Sequence, residues 1–166
     1  MTTILESHPA ASIEIIYLIM PFVAWLIAGV SKFVINSIRA KQLAFGLIGY
    51  GGMPSNHAAI VTSMTALIIF KEGVTHPAVG VAMALSFIVL LDANSLRRQI
   101  GKQAVVINQL QARLSERESP KNQPEIPPLR ERIGHTKLEL LGGIVVGTLS
   151  AYGLFNLNSL LALLGM

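Results

Sequence analysis

Four apolar segments dominate this chain, and each approaches the length needed to cross a membrane. They cover approximately residues 13–30, 54–70, 78–91 and 138–155. A helix of about 20 apolar residues spans the hydrocarbon core of a bilayer. The pattern therefore predicts an all-α fold, a polytopic membrane helical bundle of about four transmembrane helices, with residues 1–166 forming a single membrane domain.

The composition favours a membrane protein as well. Hydrophobic residues make up 52% of the chain and charged residues only 13%, whereas a soluble domain has about 25% charged residues. The net charge of +4 is therefore interpreted as a marker of orientation and of contact with anionic membrane lipids, and no nucleic-acid partner is expected. The absence of cysteine excludes a disulfide framework and a thiolate metal site. No signal peptide is expected, because the first ten residues contain no Lys or Arg.

The segments between the predicted spans differ in character. Residues 31–53 mix charges with glycines and are expected to form an interfacial or re-entrant segment. Residues 95–130 are expected to form a cytoplasmic amphipathic helix followed by a Pro-rich loop. Apolar residues recur along that helix at steps of three and four: Leu96, Ile100, Ala104, Ile107, Leu110 and Leu114. The glycines of the last span suit close helix packing, either inside the molecule or in a homodimer.

The distribution of basic residues predicts the orientation of the bundle. All but one of the Lys and Arg residues lie in the two segments that join the first span to the second and the third span to the fourth; the exception is Lys71. Basic loops mark the cytoplasmic side. The sequence therefore predicts that both termini lie outside, and that His57 and His135 share the cytoplasmic face. The expected location is an integral position in a bacterial inner membrane or a plastid-type membrane.

Two of the four histidines are candidates for chemistry. His57 and His135 each lie where a basic segment meets a span, and an ionisable residue at the membrane is a functional-site hypothesis. His8 and His76 lie in polar segments and are interpreted as solvated. Glu139 follows His135 by four residues, on the same face of a helix. It could fix one imidazole nitrogen and leave the other as a base or nucleophile; a structural His–Glu pair at a helix start is the alternative.

Cationic residues near these histidines suggest an anion pocket. They are Lys32, Arg39, Arg97, Arg98 and Lys102. Lys and Arg side chains bind phosphate oxygens, although topology signalling and lipid contact are expected roles for them in any case. Together with Ser55 and the neighbouring glycines, they form a set of groups suited to phosphoryl transfer.

Three stretches of the sequence resemble a known family. "GGMPSNHAAIV", "DANSLRRQIGKQAVVIN" and "LRERIGHTKLELLGG" are similar to signature blocks of the divergent branch of the type 2 phosphatidic acid phosphatase superfamily, which is related to acid phosphatase and vanadium-dependent haloperoxidase. The blocks occur in order between about residues 31 and 146.

The match to the wider superfamily has departures in each motif. Lys32 and Arg39 have the spacing of the first motif, but Ala40 replaces its proline. The second motif, Pro-Ser-Gly-His, is matched except that Asn56 replaces the glycine. His135 and Glu139 match the histidine and acidic positions of the third motif. There, however, Arg130 is one residue too close to the histidine, and Leu129 replaces the serine.

The resemblance implies a membrane phosphatase that hydrolyses lipid or isoprenoid phosphate monoesters or diphosphates at the cytoplasmic face. His135 would attack phosphorus and form a phosphohistidine, Glu139 would hold its imidazole, and His57 would protonate the leaving group and then activate water. No metal or other cofactor is expected. The residues expected to bind phosphate are Lys32, Arg39, Ser55, Arg97, Arg98, Lys102 and Arg130.

Other functions stay open at this point. The departures at Ala40, Asn56 and Leu129 suit a non-catalytic membrane protein that binds anionic lipid or a protein partner on the same scaffold. A small transporter would place His57 and His135 along a water path, but the charged residues cluster at one face instead. A haloperoxidase is disfavoured, because the vanadate cofactor of those enzymes sits in a larger soluble helical bundle.

Overall fold

The computed structural model describes residues 15–43, 52–115, 126–131 and 133–163, and this part of the chain is 84% helical and contains no strand. It confirms the predicted all-α fold. The helices are α1 (Ile15–Ala40), α2 (Asn56–Glu72), α3 (Pro77–Leu91), α4 (Arg97–Ser115) and α5 (Lys137–Leu163). A π-helical turn, Asp92–Leu96, joins α3 to α4 without a break.

Three helical stretches of the described residues are long and apolar enough to cross a membrane. They are Ile15–Ala40, Pro77–Ser115 and Lys137–Leu161. The second predicted span, at about residues 54–70, corresponds to α2, whose 17 residues extend about 25 Å at the α-helical rise. That length is somewhat less than the roughly 30 Å thickness of a hydrocarbon core.

Helix α2 is the centre of the bundle and contacts α1, α3 and α5. The hydroxyl of Tyr17, at the start of α1, donates to Glu72 at the end of α2 at 2.6 Å, so these two helices run antiparallel. The backbone N–H of Ser55, just before α2, donates to the carbonyl of Glu139 in the first turn of α5 at 2.9 Å. The two helices therefore start at the same end of the bundle.

Glycines of α5 allow it to lie against α2. A side chain at Gly143 would collide with the Ser55 carbonyl, and one at Gly147 would collide with the Ala59 carbonyl and the Thr62 hydroxyl. The close approach that these glycines were expected to serve thus occurs inside one molecule. A homodimer stays a prediction.

A small apolar cluster lies beneath the end where α2 and α5 begin. Ala58 of α2 and Ala93 of the π-turn are fully buried, and Leu140 of α5 is 9% exposed. Small side chains at the first two positions let three elements meet within one layer of packing. The cluster therefore fixes the π-turn against the starts of the two helices.

Several local features differ from the expectations. Residues 31–40, expected to be interfacial or re-entrant, continue α1 as helix, because this stretch contains neither proline nor glycine. Helix α2 starts at Asn56 rather than Pro54, since the Ser55 hydroxyl accepts the Ala58 N–H at 3.3 Å and acts as the N-cap. The rest of the expected re-entrant segment, 44–51, and the loop residues 116–125 lie outside the described residues.

Helix α4 holds the segment that leads to His135. The Asn108 side chain pairs with the backbone of Leu129, donating to its carbonyl and accepting from its N–H, both at 2.8 Å. The Gln111 amide donates to the carbonyl of Ile126 at 2.9 Å. Within the predicted apolar stripe Ala104 is buried, and the other members are exposed. Each of these is at least 44% accessible: Leu96, Ile100, Ile107, Leu110 and Leu114.

Candidate functional site

The first turn of α5 contains a capping box that also orients a histidine. The Thr136 hydroxyl accepts the Glu139 N–H at 3.2 Å, and the Glu139 carboxylate oxygen Oε2 accepts the Thr136 N–H at 2.9 Å. The same Oε2 lies 3.2 Å from Nδ1 of His135. In the neutral imidazole this contact keeps the proton on Nδ1, so Nε2 carries the free lone pair.

The backbone of His135 is fixed by the π-helical turn. The Arg97 N–H donates to the carbonyl of Asp92, whereas in an α-helix it would reach the carbonyl of Ala93. The Ala93 carbonyl instead accepts the N–H of His135 at 2.9 Å. The extra residue in the turn therefore creates the acceptor that anchors His135.

Gly134 allows the chain to reach that acceptor. Its φ is 94°, and a Cβ atom there would lie 2.9 Å from the backbone nitrogen and Cγ of Arg98. Only glycine adopts this φ without strain and tolerates the close approach. The Gly-His pair is thus a structural unit in which glycine makes the turn and histidine enters the site.

His57 and His135 lie side by side. Their ring centroids are 5.8 Å apart and the ring planes meet at 62°. His57 is the second residue of α2, and the Ser55 cap and the Ser55–Glu139 backbone bond hold the two helix starts together. The Nδ1 atom of His57 is buried and, within the described part of the chain, has no hydrogen-bond partner, so the ring retains hydrogen-bonding capacity for a ligand or water.

Two cations act electrostatically on both imidazoles, namely Lys32 of α1 and Arg97 at the start of α4. His135 is 6% exposed, and burial lowers the pKa of its imidazole below the ordinary value. The hydrogen bond with Glu139 opposes this shift in pKa, and the charges of Lys32 and Arg97 reinforce it. His135 is therefore neutral near pH 7, the form in which Nε2 is a nucleophile.

The other residues expected to bind phosphate occupy different positions. Arg98 and Lys102 line an open cleft of about 280 Å³ that also touches His135, Thr136 and Glu139. Ser55 is fully buried and caps α2. Arg39 and Arg130 are exposed. The structure thus brings Lys32 and Arg97 to the paired histidines, and Arg98 and Lys102 to the neighbouring cleft.

Comparison with known proteins supports the resemblance carried by these motifs. The family model described as the Divergent PAP2 family matches residues 14–150. The chain belongs to the Divergent PAP2 family. It is also similar to the uncharacterized membrane protein YuiD of Bacillus subtilis (strain 168), with 30% identity over 140 residues, covering 80% of this chain and 89% of the relative. No solved structure gives a significant match.

Sequence reasoning missed two residues at the site of this Divergent PAP2 protein. Thr136 completes the capping box with Glu139, and the spacing Thr-x-x-Glu before an apolar run could have revealed it. Asp92 bonds Nε of Arg97 at 2.9 Å and its charge acts on His57. Its position at the end of an apolar span made it look like a boundary residue, and a π-turn leaves no clear pattern in the sequence.

The remaining histidines lie elsewhere. His76 is the N-cap of α3, where its Nδ1 accepts the Ala78 N–H at 3.3 Å. His8 lies outside the described residues. Within the ranges that the structure describes, no group of three or more His, Asp or Glu side chains could hold a metal ion.

Proposed function

We propose that this protein is a membrane phosphatase that hydrolyses phosphate monoesters or diphosphates of lipids or isoprenoids through a phosphohistidine. The main support is the pair of imidazoles 5.8 Å apart, one of them held by a carboxylate on its Nδ1 atom. A buried neutral histidine with an orienting carboxylate suits nucleophilic attack, and a second histidine beside it suits proton transfer. Membership of the Divergent PAP2 family is consistent with phosphoryl chemistry.

In the first step Nε2 of His135 attacks phosphorus, and the bond from phosphorus to the leaving oxygen breaks. His57, protonated, gives its proton to that oxygen. The positive charge that develops on the His135 ring is stabilised by the Glu139 carboxylate at Nδ1, in the way that a buried acid supports the histidine of a catalytic triad. Lys32, which acts on both rings and on Glu139, stabilises the equatorial oxygens.

In the second step water attacks the phosphohistidine from the side that the leaving group has left. His57, now neutral, accepts a proton from this water while the bond between phosphorus and nitrogen breaks. Inorganic phosphate leaves, His57 is again protonated and His135 is again neutral. Each ring therefore returns to its starting protonation state, as a catalytic cycle requires.

The position of the pair at one end of the bundle favours a substrate anchored in the membrane. Both rings lie where α2 and α5 start, a position that suits the head group of a lipid held in the membrane. The basic segments on this side favour the cytoplasmic face as the location of the proposed site. Phosphates attached to lipid or polyprenyl chains made inside the cell are accordingly the proposed substrates.

The experiment is phosphate release by the full chain, purified in detergent with mixed lipid and assayed against a panel of lipid and prenyl phosphates. Three matched variants are compared with the wild type: His135→Asn, His57→Asn and His76→Asn. We expect release to be lost in the first variant and reduced about 10²- to 10⁴-fold in the second, the usual contribution of a general acid–base group. His76→Asn retains activity, because asparagine is also a good N-cap.

A parallel assay with EDTA tests the proposed metal independence, and activity should persist in the chelator. Loss of release on chelation would contradict a mechanism that uses the protein's own charges alone. A folded wild-type protein that releases no phosphate from any substrate would contradict the phosphatase proposal. If that protein still bound orthovanadate, the result would favour a non-catalytic role in binding anionic lipid.

A further inference from the structure

Two of the arginines expected to bind phosphate are exposed: Arg39 at the end of α1 and Arg130 on the segment before Gly134. The geometry points to Arg97, oriented by Asp92 in the π-helical turn, as the arginine that binds the phosphoryl oxygens beside His135. This inference rests on the proposed phosphatase function and adds Asp92 as a positioning residue.

The π-turn brings Asp92 and Arg97 onto one face. Residues five apart point in different directions in an α-helix, but the wider π-turn aligns them. Here the Arg97 N–H donates to the Asp92 carbonyl, and the Arg97 Nε donates to the Asp92 carboxylate at 2.9 Å. The backbone and the side chain of Arg97 are thus both hydrogen-bonded to Asp92. This restricts the rotamers of Arg97.

The same turn connects Arg97 to the nucleophile. Between Asp92 and Arg97 lies Ala93, fully buried, whose carbonyl accepts the N–H of His135. A single short element therefore fixes both the backbone of the histidine and the base of the arginine. A phosphate bound at Nε2 of His135 would then meet a guanidinium whose position is set before binding, which lowers the entropy cost of the contact.

The guanidinium has groups available for an anion. The bond to Asp92 uses Nε, and in the described part of the chain no hydrogen bond involves the terminal nitrogens Nη1 and Nη2. The side chains of Arg97 and Asp92 are 40% and 37% exposed, so a ligand can reach the pair. A guanidinium held at Nε by a carboxylate presents its terminal nitrogens to phosphate oxygens in a fixed geometry.

Charge also distinguishes Arg97 from its neighbours. The charges of Arg97 and Lys32 each act on both His57 and His135. Arg98 lies in the cleft with the carboxylates of Glu131 and Glu139, which offset its attraction for an anion. The pair Lys32 and Arg97 therefore supplies positive charge from two different helices around the two rings.

The test measures orthovanadate binding by the full-length protein in detergent, together with kcat and KM on the best substrate of the panel. The variants are Arg97→Gln, Arg97→Lys, Asp92→Asn and Arg98→Gln, with Arg113→Gln as the matched control in the last turn of α4. We expect Arg97→Gln to weaken orthovanadate binding about 10- to 100-fold, the effect of losing a charge-assisted hydrogen bond. Arg113→Gln should bind like the wild type.

The other variants separate charge from geometry. Arg97→Lys should recover part of the vanadate affinity, and Asp92→Asn should lower kcat more than it raises KM, because a neutral partner orients Arg97 less firmly. Thermal unfolding checks that each variant is folded. The assignment is overturned if Arg97→Gln binds orthovanadate like the wild type, or if Arg98→Gln loses more affinity than Arg97→Gln.

Two further outcomes distinguish this assignment from the proposed function. If the wild type releases no phosphate but binds orthovanadate in a manner that depends on Arg97, the phosphatase proposal fails and the anion site stands. If the wild type hydrolyses lipid phosphates and Arg97→Gln does so equally well, the phosphatase proposal stands and the role of Arg97 is refuted. A wild type that neither binds orthovanadate nor releases phosphate refutes both.

Discussion

The carboxylate of Glu139 caps a helix and contacts a histidine with the same oxygen atom. Oε2 accepts the Thr136 N–H at 2.9 Å and lies 3.2 Å from Nδ1 of His135. A capping box alone is a common structural device, so the contact to His135 is what gives this residue a proposed role in catalysis. The two roles can be separated by substitution.

Glu139→Gln should lower kcat with little change in stability. Glutamine also closes a capping box, but a neutral amide stabilises the charged His135 ring less, which costs about 10- to 100-fold for a hydrogen bond to a charged group. Phosphate release and thermal unfolding are measured on the same preparation. Glu139→Ala is the comparison, since it should also lose roughly 0.3–1.5 kcal/mol of stability with the cap. Wild-type kcat in Glu139→Gln would leave the carboxylate a purely structural role.

The pH dependence of activity should report the burial of His135. Burial holds the pKa of this imidazole below its ordinary value, so the neutral imidazole that the proposed mechanism requires persists below pH ~6.5, the pKa of a free histidine. The midpoint of the acidic limb, in a plot of kcat/KM against pH, should therefore lie below that pH. Glu139→Gln should move the limb to still lower pH, because the bond to Glu139 raises the pKa of His135. An acidic limb with its midpoint above pH ~7 would contradict a buried neutral histidine.

The same lowered pKa of His135 links pH to stability. Between the native pKa and about 6.5, the unfolded chain binds more protons at this position than the native protein does, so the free energy of unfolding decreases as pH falls. This contribution is complete above the unfolded pKa and is lost on acidification. The melting temperature of the wild type should accordingly decrease more steeply than that of His135→Asn between pH 7 and 5.

At the scale of helices, the apolar segments could be predicted from sequence and the junctions could not. Runs of apolar residues indicate α1, α3 and α5 because the ability of a segment to cross a membrane depends on its length and apolar composition. The π-turn at 92–96 depends on a tertiary bond, from the N–H of His135 to the carbonyl of Ala93, which no local pattern specifies. The sequence predicted His57 and His135 as partners but could not predict their contact, which requires α2 and α5 to pack closely at Gly143 and Gly147.

Two glycines of α5 provide a matched test of that packing. Gly147→Ala would push a methyl group against the Ala59 carbonyl and the Thr62 hydroxyl, whereas Gly153→Ala would place it in open space. We expect the first variant to lose stability by about 1–3 kcal/mol, as overpacked sites do, and to lose activity as the two helix starts separate. The second should be neutral or stabilising by up to about 1 kcal/mol. Thermal unfolding in one detergent compares them, and equal stabilities would contradict the close approach of α2 and α5.

Over the whole molecule, orientation rests on the charges of the connecting segments. Three helical stretches have the length and apolar character of membrane spans, and the shorter α2 lies among them. Four crossings with the basic segments inside would place both termini outside, which is the orientation that we propose. A reporter that works only outside the cytoplasm should therefore be active when it is fused after Met166. It should be inactive when it is fused within residues 116–125, which the sequence predicts to form a loop. A cytoplasmic reporter at Met166 would reverse the proposed face.

The covalent intermediate is the most direct test of the central claim that His135 is a nucleophile. The full-length protein is mixed with a phosphate ester that has a good leaving group, quenched in base, and analysed by mass spectrometry. His57→Asn should accumulate a phosphoryl group on His135, because such a substrate needs no acid while hydrolysis of the intermediate still needs the base. His135→Asn should carry none. Phosphate release with no phosphorylated His135, or with the label on another residue, would contradict this mechanism.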